Sequence, residues 1–219
     1  MFVKICGITT EEDALLAVAM GADAIGFVFA TSSRQVAVGK VAEIVRRLPP
    51  ETLTIGVFRD ALPERVIEVV EQAGLRGAQL HGAETHEECA EVAAKVPFVI
   101  KGLPADPARL AGAGTFAAHA ILVDAPLPGS GAVFDWRIAE SVPGVRRLVL
   151  AGGLTPLNVA DAIRRVGPWG VDVSTGVEAS PGHKDPSKVR AFIKAARDAA
   201  PSRYRSDADA PYDWQEELS

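Results

Sequence analysis

Two side chains in the sequence could form a proton-transfer pair. Cys6 closes the apolar run "FVKIC" directly before a glycine, and Asp124 closes "AILVD" as an isolated carboxylate behind four apolar or small residues. Thiols and carboxyls start about four units apart in pKa, so a site holding both could use one as acid and the other as base on opposite sides of one bound molecule. Each has a plain structural alternative. A strand cysteine is commonly a small buried hydrophobe, and an aspartate at a strand end commonly caps the loop behind it. No cation is adjacent to Asp124 in sequence, and a lone buried carboxylate is costly, so the two residues together say more than either alone.

An anion site comes next. "LVLAGGLTPLNV" carries Gly152-Gly153 and "VDVSTGVE" carries Ser174-Thr175-Gly176, each behind an apolar run. Glycine turns there let backbone N–H groups approach a phosphate closely. Arg34, in "FATSSRQV", offers a planar guanidinium suited to a carboxylate ligand. Gln79 and His81 end the run "AQLHG". His81, His86 and Cys89 read H-x4-H-x2-C, but no fourth ligand accompanies them and none of the usual zinc spacings is matched, so no metal is expected. Lys4 shares the strand face of Cys6, should point inward and needs an acid; Asp172 is the expected partner.

These residues need elements to position them. Short β-rich runs at 2–6, 24–29, 53–58, 77–80, 98–101, 120–124, 147–150 and 170–174 alternate with helical patterns at 11–20, 39–48, 63–73, 86–95, 105–112, 135–142, 156–166 and 186–198. Thr10 with Asp13 and Thr85 with Glu88 resemble capping boxes, while Thr155-Pro156 and Asp185-Pro186 each pair an N-cap with a first-turn proline. Gly21 and Gly74 stand where helices should stop. The fifth helix, over "DPARLAGAG", is the weakest, being short and ending in glycines.

Strict alternation implies parallel strands joined by right-handed crossovers. Eight such units favour an α/β fold closed into a single (βα)8 TIM barrel domain over residues 1–199. An open doubly wound sheet would announce a nucleotide site by a glycine fingerprint after its first strand, and Cys6-Gly7-Ile8-Thr9 is none. In a barrel, the carboxyl end of every strand opens on one mouth, where Cys6 and Asp124 would both sit. Residues 200–219 lack apolar periodicity and read as a solvated, mobile tail, with Tyr204, Tyr212 and Trp214 as docking groups if it folds back.

Of the 219 residues 48% are hydrophobic, ample for one core, and the net charge of −5 argues against a nucleic-acid partner. No apolar stretch approaches the roughly 20 residues of a membrane span, and the first residues lack a secretory plan. Two cysteines make no disulfide framework. A cytoplasmic protein with a small anionic ligand is expected.

The residues also resemble a known family. "KICGIT" at 4–9, "QLHG" at 79–82, "LVDA" at 122–125, "GSGAVFDW" at 129–136, "LAGGLTPLNV" at 150–159 and "DVSTGVE…SPGHKD" at 172–185 together look like phosphoribosylanthranilate isomerase of tryptophan biosynthesis. That resemblance, covering about residues 2–198, implies a cofactor-free Amadori rearrangement of a phosphorylated small-molecule substrate by a monomer or homodimer. It implies Cys6 as general base, Asp124 as general acid, Arg34 on the anthranilate carboxylate, Gln79 and His81 as substrate-binding, and Gly152, Gly153, Ser174, Thr175 and Gly176 around the phosphate. The chain departs from the family in having Ser33 before the arginine and Pro128-Gly129-Ser130-Gly131 in the sixth loop. The related isomerase of histidine synthesis would show a doubled half-barrel with two aspartates, and no such repeat is visible. Indoleglycerol-phosphate synthase would need catalytic lysines and an N-terminal extension. A silent barrel serving as a scaffold is the remaining alternative, against which the Cys6 and Asp124 pair argues.

Overall fold

The structure is a computed structural model that describes residues 1–125, 133–140 and 142–201. Eight parallel strands close on themselves in sequence order: β1 (Phe2–Cys6), β2 (Ala24–Val28), β3 (Leu53–Phe58), β4 (Gly77–Leu80), β5 (Phe98–Pro104), β6 (Ala120–Asp124), β7 (Leu148–Leu150) and β8 (Gly170–Val173). The seam pairs Lys4 with Asp172 in register, joining the first and last strands of the barrel. Around them run α1 (Glu11–Ala19), α2 (Val38–Val45), α3 (Pro63–Ala73), α4 (His86–Ala93), α5 (Pro107–Leu110), α6 (Val159–Val166) and α7 (Pro186–Ala199). The expected α/β barrel is therefore present. Among the described residues no helix is long and apolar enough to cross a membrane.

The alternation of strand side chains divides the interior into two cores. Outward positions such as Val3, Ile5, Ile25 and Phe27 pack beneath the helices, with Val66, Val70, Phe192 and Ile193 facing them. Inward positions such as Phe2, Leu53, Ile55, Phe98, Ile100 and Leu122 fill the lower cylinder, where Phe2 stacks on Trp169 at 4.5 Å. Along β1 the inward residues run Phe2, Lys4, Cys6. The interior thus turns from apolar at the base to polar at the mouth within five residues.

Start and stop chemistry worked at most ends. Thr85 and Glu88 form a reciprocal capping box, Thr10 accepts from the Asp13 N–H, Asp185 caps α7 ahead of Pro186, and Gly74 closes α3 at φ 66°. Three helices differ from expectation. The sixth pattern forms only a short 3-10 turn at Trp136–Ala139. The helix after β7 starts at Val159 and not behind Thr155, because the Asn158 side chain accepts from the Thr155 N–H and donates to the Gly153 carbonyl. Residues 153–158 are thereby held as a turn. The fifth helix shrinks to the four residues of α5, and β5 extends three residues beyond its expected end, pairing Pro104 with Asp124. The expected tail, with Tyr204, Tyr212 and Trp214, lies outside the described residues from 202 onward, as do residues 126–132 of the sixth loop.

Candidate active site

Cys6 ends β1 at the mouth, 7% exposed, in register with Gly26 of β2. One inward step below it, Lys4 is fully buried and donates to Asp172 Oδ1 at 2.9 Å, the expected pair. Burial pushes the Cys6 thiol above its ordinary value; Lys4 and Lys184 pull it back, and Asp172 adds to the rise.

Asp124 ends β6, 8% exposed, and its two oxygens have different surroundings. Oδ1 accepts from the Ala125 N–H at 2.7 Å, the loop-capping role that sequence alone allowed. Oδ2 lies 3.4 Å from His81 Nε2, close enough for an ion pair, although that nitrogen has no well-aligned hydrogen bond. The other ring nitrogen, Nδ1, is 2.8 Å from Gln79 Nε2. Gln79, His81 and Asp124 thus form one chain across the ends of β4 and β6. Gln79 Oε1 is buried in it with no protein partner among the described residues.

The two glycine loops meet each other. Gly152 and Gly153 adopt φ 79° and 64°, a turn that residues with a β-carbon rarely make. A β-carbon on Gly176 would collide with the Leu154 carbonyl, so the loop after β8 packs directly on the loop after β7. Ser174 Oγ is buried there without a hydrogen-bond partner among the described residues. A β-carbon on Gly7 would stand 2.6 Å from Arg34 Cδ and 2.7 Å from Ser174 Oγ, so the loops after β1, β2 and β8 converge.

Arg34 reaches this convergence already engaged. Its Nε and Nη2 donate to the two oxygens of Glu178, and Nη2 also lies 3.3 Å from Thr175 Oγ1. Glu178 begins β9 (Glu178–Ser180), which pairs antiparallel with β10 (His183–Lys184); the Lys184 ammonium is 3.2 Å from Glu178 Oε1. Thr9 donates to the Gly182 carbonyl, tying that hairpin to the first loop. Burial works against the charge on Glu178, but Arg34 and Lys184 outweigh it and hold the carboxyl below its ordinary 4.5. Sequence reasoning gave Glu178 and Lys184 no role. Both lie inside the quoted motifs, and the signal was their opposite charge two and eight residues after Gly176.

The H-x4-H-x2-C residues point three ways. His81 faces Asp124, His86 stacks on Phe116 at 3.9 Å, and Cys89 is buried under α4 against the Ala117 carbonyl.

A family model described as N-(5'-phosphoribosyl)anthranilate (PRA) isomerase matches residues 3–195. The chain belongs to the phosphoribosylanthranilate isomerase family. The family member of Desulforudis audaxviator, N-(5'-phosphoribosyl)anthranilate isomerase, is 48% identical over 201 residues, covering 90% of this chain and 98% of that one. Among solved structures, monomers generated from the dimeric phosphoribosylanthranilate isomerase of Thermotoga maritima are 39% identical with a TM-score of 0.81, covering 90% and 99% of the two chains. A phosphoribosylanthranilate isomerase in complex with reduced 1-(o-carboxyphenylamino)-1-deoxyribulose 5-phosphate is 40% identical with a TM-score of 0.81 and the same coverage. The chain is thus a phosphoribosylanthranilate isomerase of tryptophan biosynthesis by family, an enzyme built on a TIM barrel.

Proposed function

We propose that this chain converts N-(5-phosphoribosyl)anthranilate into 1-(2-carboxyphenylamino)-1-deoxyribulose 5-phosphate with Cys6 as general base and Asp124 as general acid. The carrying observation is the position of these two groups at the carboxyl ends of β1 and β6, both inward and both keeping a little exposure at one mouth. A protonated Asp124 donates to the furanose ring oxygen as the C1–O bond opens. The electron pair of the anthranilate nitrogen completes an iminium at C1, which acidifies the proton on C2. The Cys6 thiolate takes that proton, and the C2–H electrons form the enolamine. Tautomerisation then gives the ketone. These steps exchange protons only and call for no cofactor.

The remaining site residues fit the ends of such a substrate. The turn at Gly152 and Gly153, with Ser174, Thr175 and Gly176, takes the phosphate; the Ser174 hydroxyl, buried without a hydrogen-bond partner among the described residues, supports an acceptor-rich ligand there. Arg34 takes the anthranilate carboxylate on the edge of its guanidinium that Glu178 leaves over. Gln79 and His81 border the ribose beside Asp124. The working form is a monomer or homodimer in the cytoplasm, acting on a phosphorylated small molecule and on neither nucleic acid nor membrane. The decisive experiment follows the loss of phosphoribosylanthranilate fluorescence with purified protein. Turnover that requires Cys6 supports the assignment, and a protein with no turnover is the scaffold alternative.

A further inference from the structure

A lysine inside a barrel requires an explanation. At the base of the same strand face Phe2 fills the cylinder with apolar volume, and a buried ion pair is seldom better than well-packed hydrocarbon for stability alone. Lys4 and Asp172 occupy the layer directly beneath Cys6. Gly26, in register with Cys6, shows how close that layer comes. A β-carbon at Gly26 would lie 2.8 Å from Cys6 Sγ and 3.1 Å from Lys4 Nζ. Sulfur and ammonium therefore flank one small space, within the roughly 6 Å over which an opposite charge favours ionisation.

We infer that Lys4 is a positioning residue for the reaction: anchored by Asp172, its ammonium steadies Cys6 as a thiolate, in a space that Gly26 leaves open. The inference builds on the reading of Cys6 as base. Four charged groups act on the sulfur. Lys4 comes from β1 and Lys184 from β10, both favouring the thiolate. Arg34, from the loop after β2, also feels the sulfur's charge, and Asp172 from β8 opposes ionisation. Glu178 pairs with both Arg34 and Lys184 and draws them into one cluster on the hairpin side of the mouth. Lys4 is paired with Asp172 in the layer beneath, and of the charged groups it acts most strongly on the sulfur. Asp172 thereby has two effects, holding the ammonium in place and tempering the field it exerts.

The test uses thiolate absorbance in the ultraviolet, titrated on the full chain with the Cys6→Ala protein as background. Cys89, which burial pushes up to about 11, is present in that background and is subtracted with it. Removing Lys4 alone would strand Asp172 in the interior, so the informative pair is Asp172→Asn and Lys4→Met/Asp172→Asn. The thiol midpoint of Asp172→Asn is expected below that of the parent. The double variant is expected above the single one by about one unit or more, equivalent to about tenfold less thiolate below the midpoint. The acid limb of kcat/KM should move in the same order. Equal midpoints in the two variants, a lower midpoint in the double, or midpoints that move while the acid limb does not, overturn the inference. Full turnover by Cys6→Ser would instead remove the base assignment, and the absorbance titration reads the coupling independently of that result.

Discussion

Arg34 and Glu178 face each other as a fork and its match, Nε to Oε1 at 2.6 Å and Nη2 to Oε2 at 2.7 Å. The pair fixes the plane of the guanidinium before any ligand arrives, which lowers the ordering cost of recognising a planar carboxylate. A lysine at this position keeps the charge and loses the plane. Arg34→Lys is expected to raise KM about tenfold or more while changing kcat less, as read by steady-state kinetics. An unchanged KM would remove Arg34 from substrate binding.

Replacing either proton-transfer group should leave the barrel standing and the reaction slow. Cys6→Ser and Asp124→Asn are each expected to lose at least about a hundredfold in kcat. Circular dichroism and thermal midpoints near the parent's would show that the loss is chemical. Near-normal turnover in either variant contradicts its assigned role.

The acid side of the stability profile should depend on Glu178. Its folded carboxyl titrates below the ordinary 4.5, so the stability it contributes is fully present above that value and is lost as pH falls through the lower, folded value. Glu178→Gln is expected to flatten denaturant-derived stability against pH in that window. If the variant and the parent lose stability with the same slope, Arg34 and Lys184 do not hold Glu178 as described.

A second buried pair ties two loops to a strand. Lys101 on β5 is 2.5 Å from Glu84 and donates to the Gly82 carbonyl at 2.8 Å, while the Glu84 carboxylate accepts from the N–H groups of Asp60 and Gly82. Both side chains are almost wholly covered. Lys101→Met leaves an uncompensated carboxylate and is expected to cost about 3–5 kcal/mol, measured by urea unfolding. Lys101→Met/Glu84→Gln should recover part of that loss. A single variant as stable as the parent would show that the carboxylate finds water or a proton at little cost.

The contact between the two glycine loops predicts a ligand effect. Gly176→Ala pushes a methyl into the Leu154 carbonyl and must displace one loop from the other. Inhibition by inorganic phosphate is expected to weaken at least about tenfold, with kcat at saturating substrate less affected. Unaltered phosphate inhibition would place the anion elsewhere.

Much of this was legible in advance, and the physical reasons differ by residue. Cys6 and Asp124 could be placed because a polar side chain at the end of an apolar run has one destination in a parallel barrel. The Lys4 and Asp172 pair followed from strand parity plus closure of the first strand on the last, a rule of topology that needs no atomic detail. Helix starts were readable where a side chain caps its own backbone, as at Thr85. They were not where a side chain serves a distant loop: Asn158 spends its amide on Gly153 and Thr155, and the helix begins late. Glu178 escaped because its two cations, Arg34 and Lys184, come from separate elements, and only the folded hairpin of β9 and β10 brings them to one carboxylate.

The junction of β1 with β8 also governs when this protein becomes a protein. A cylinder has no rim of unpaired peptide groups, but one lacking its final stave has two, along β1 and β7. Until residues 170–173 leave the ribosome, Lys4 has no acid and the nascent sheet stays open to the wrong neighbours. Chains interrupted before that point are expected to precipitate and not persist as smaller enzymes.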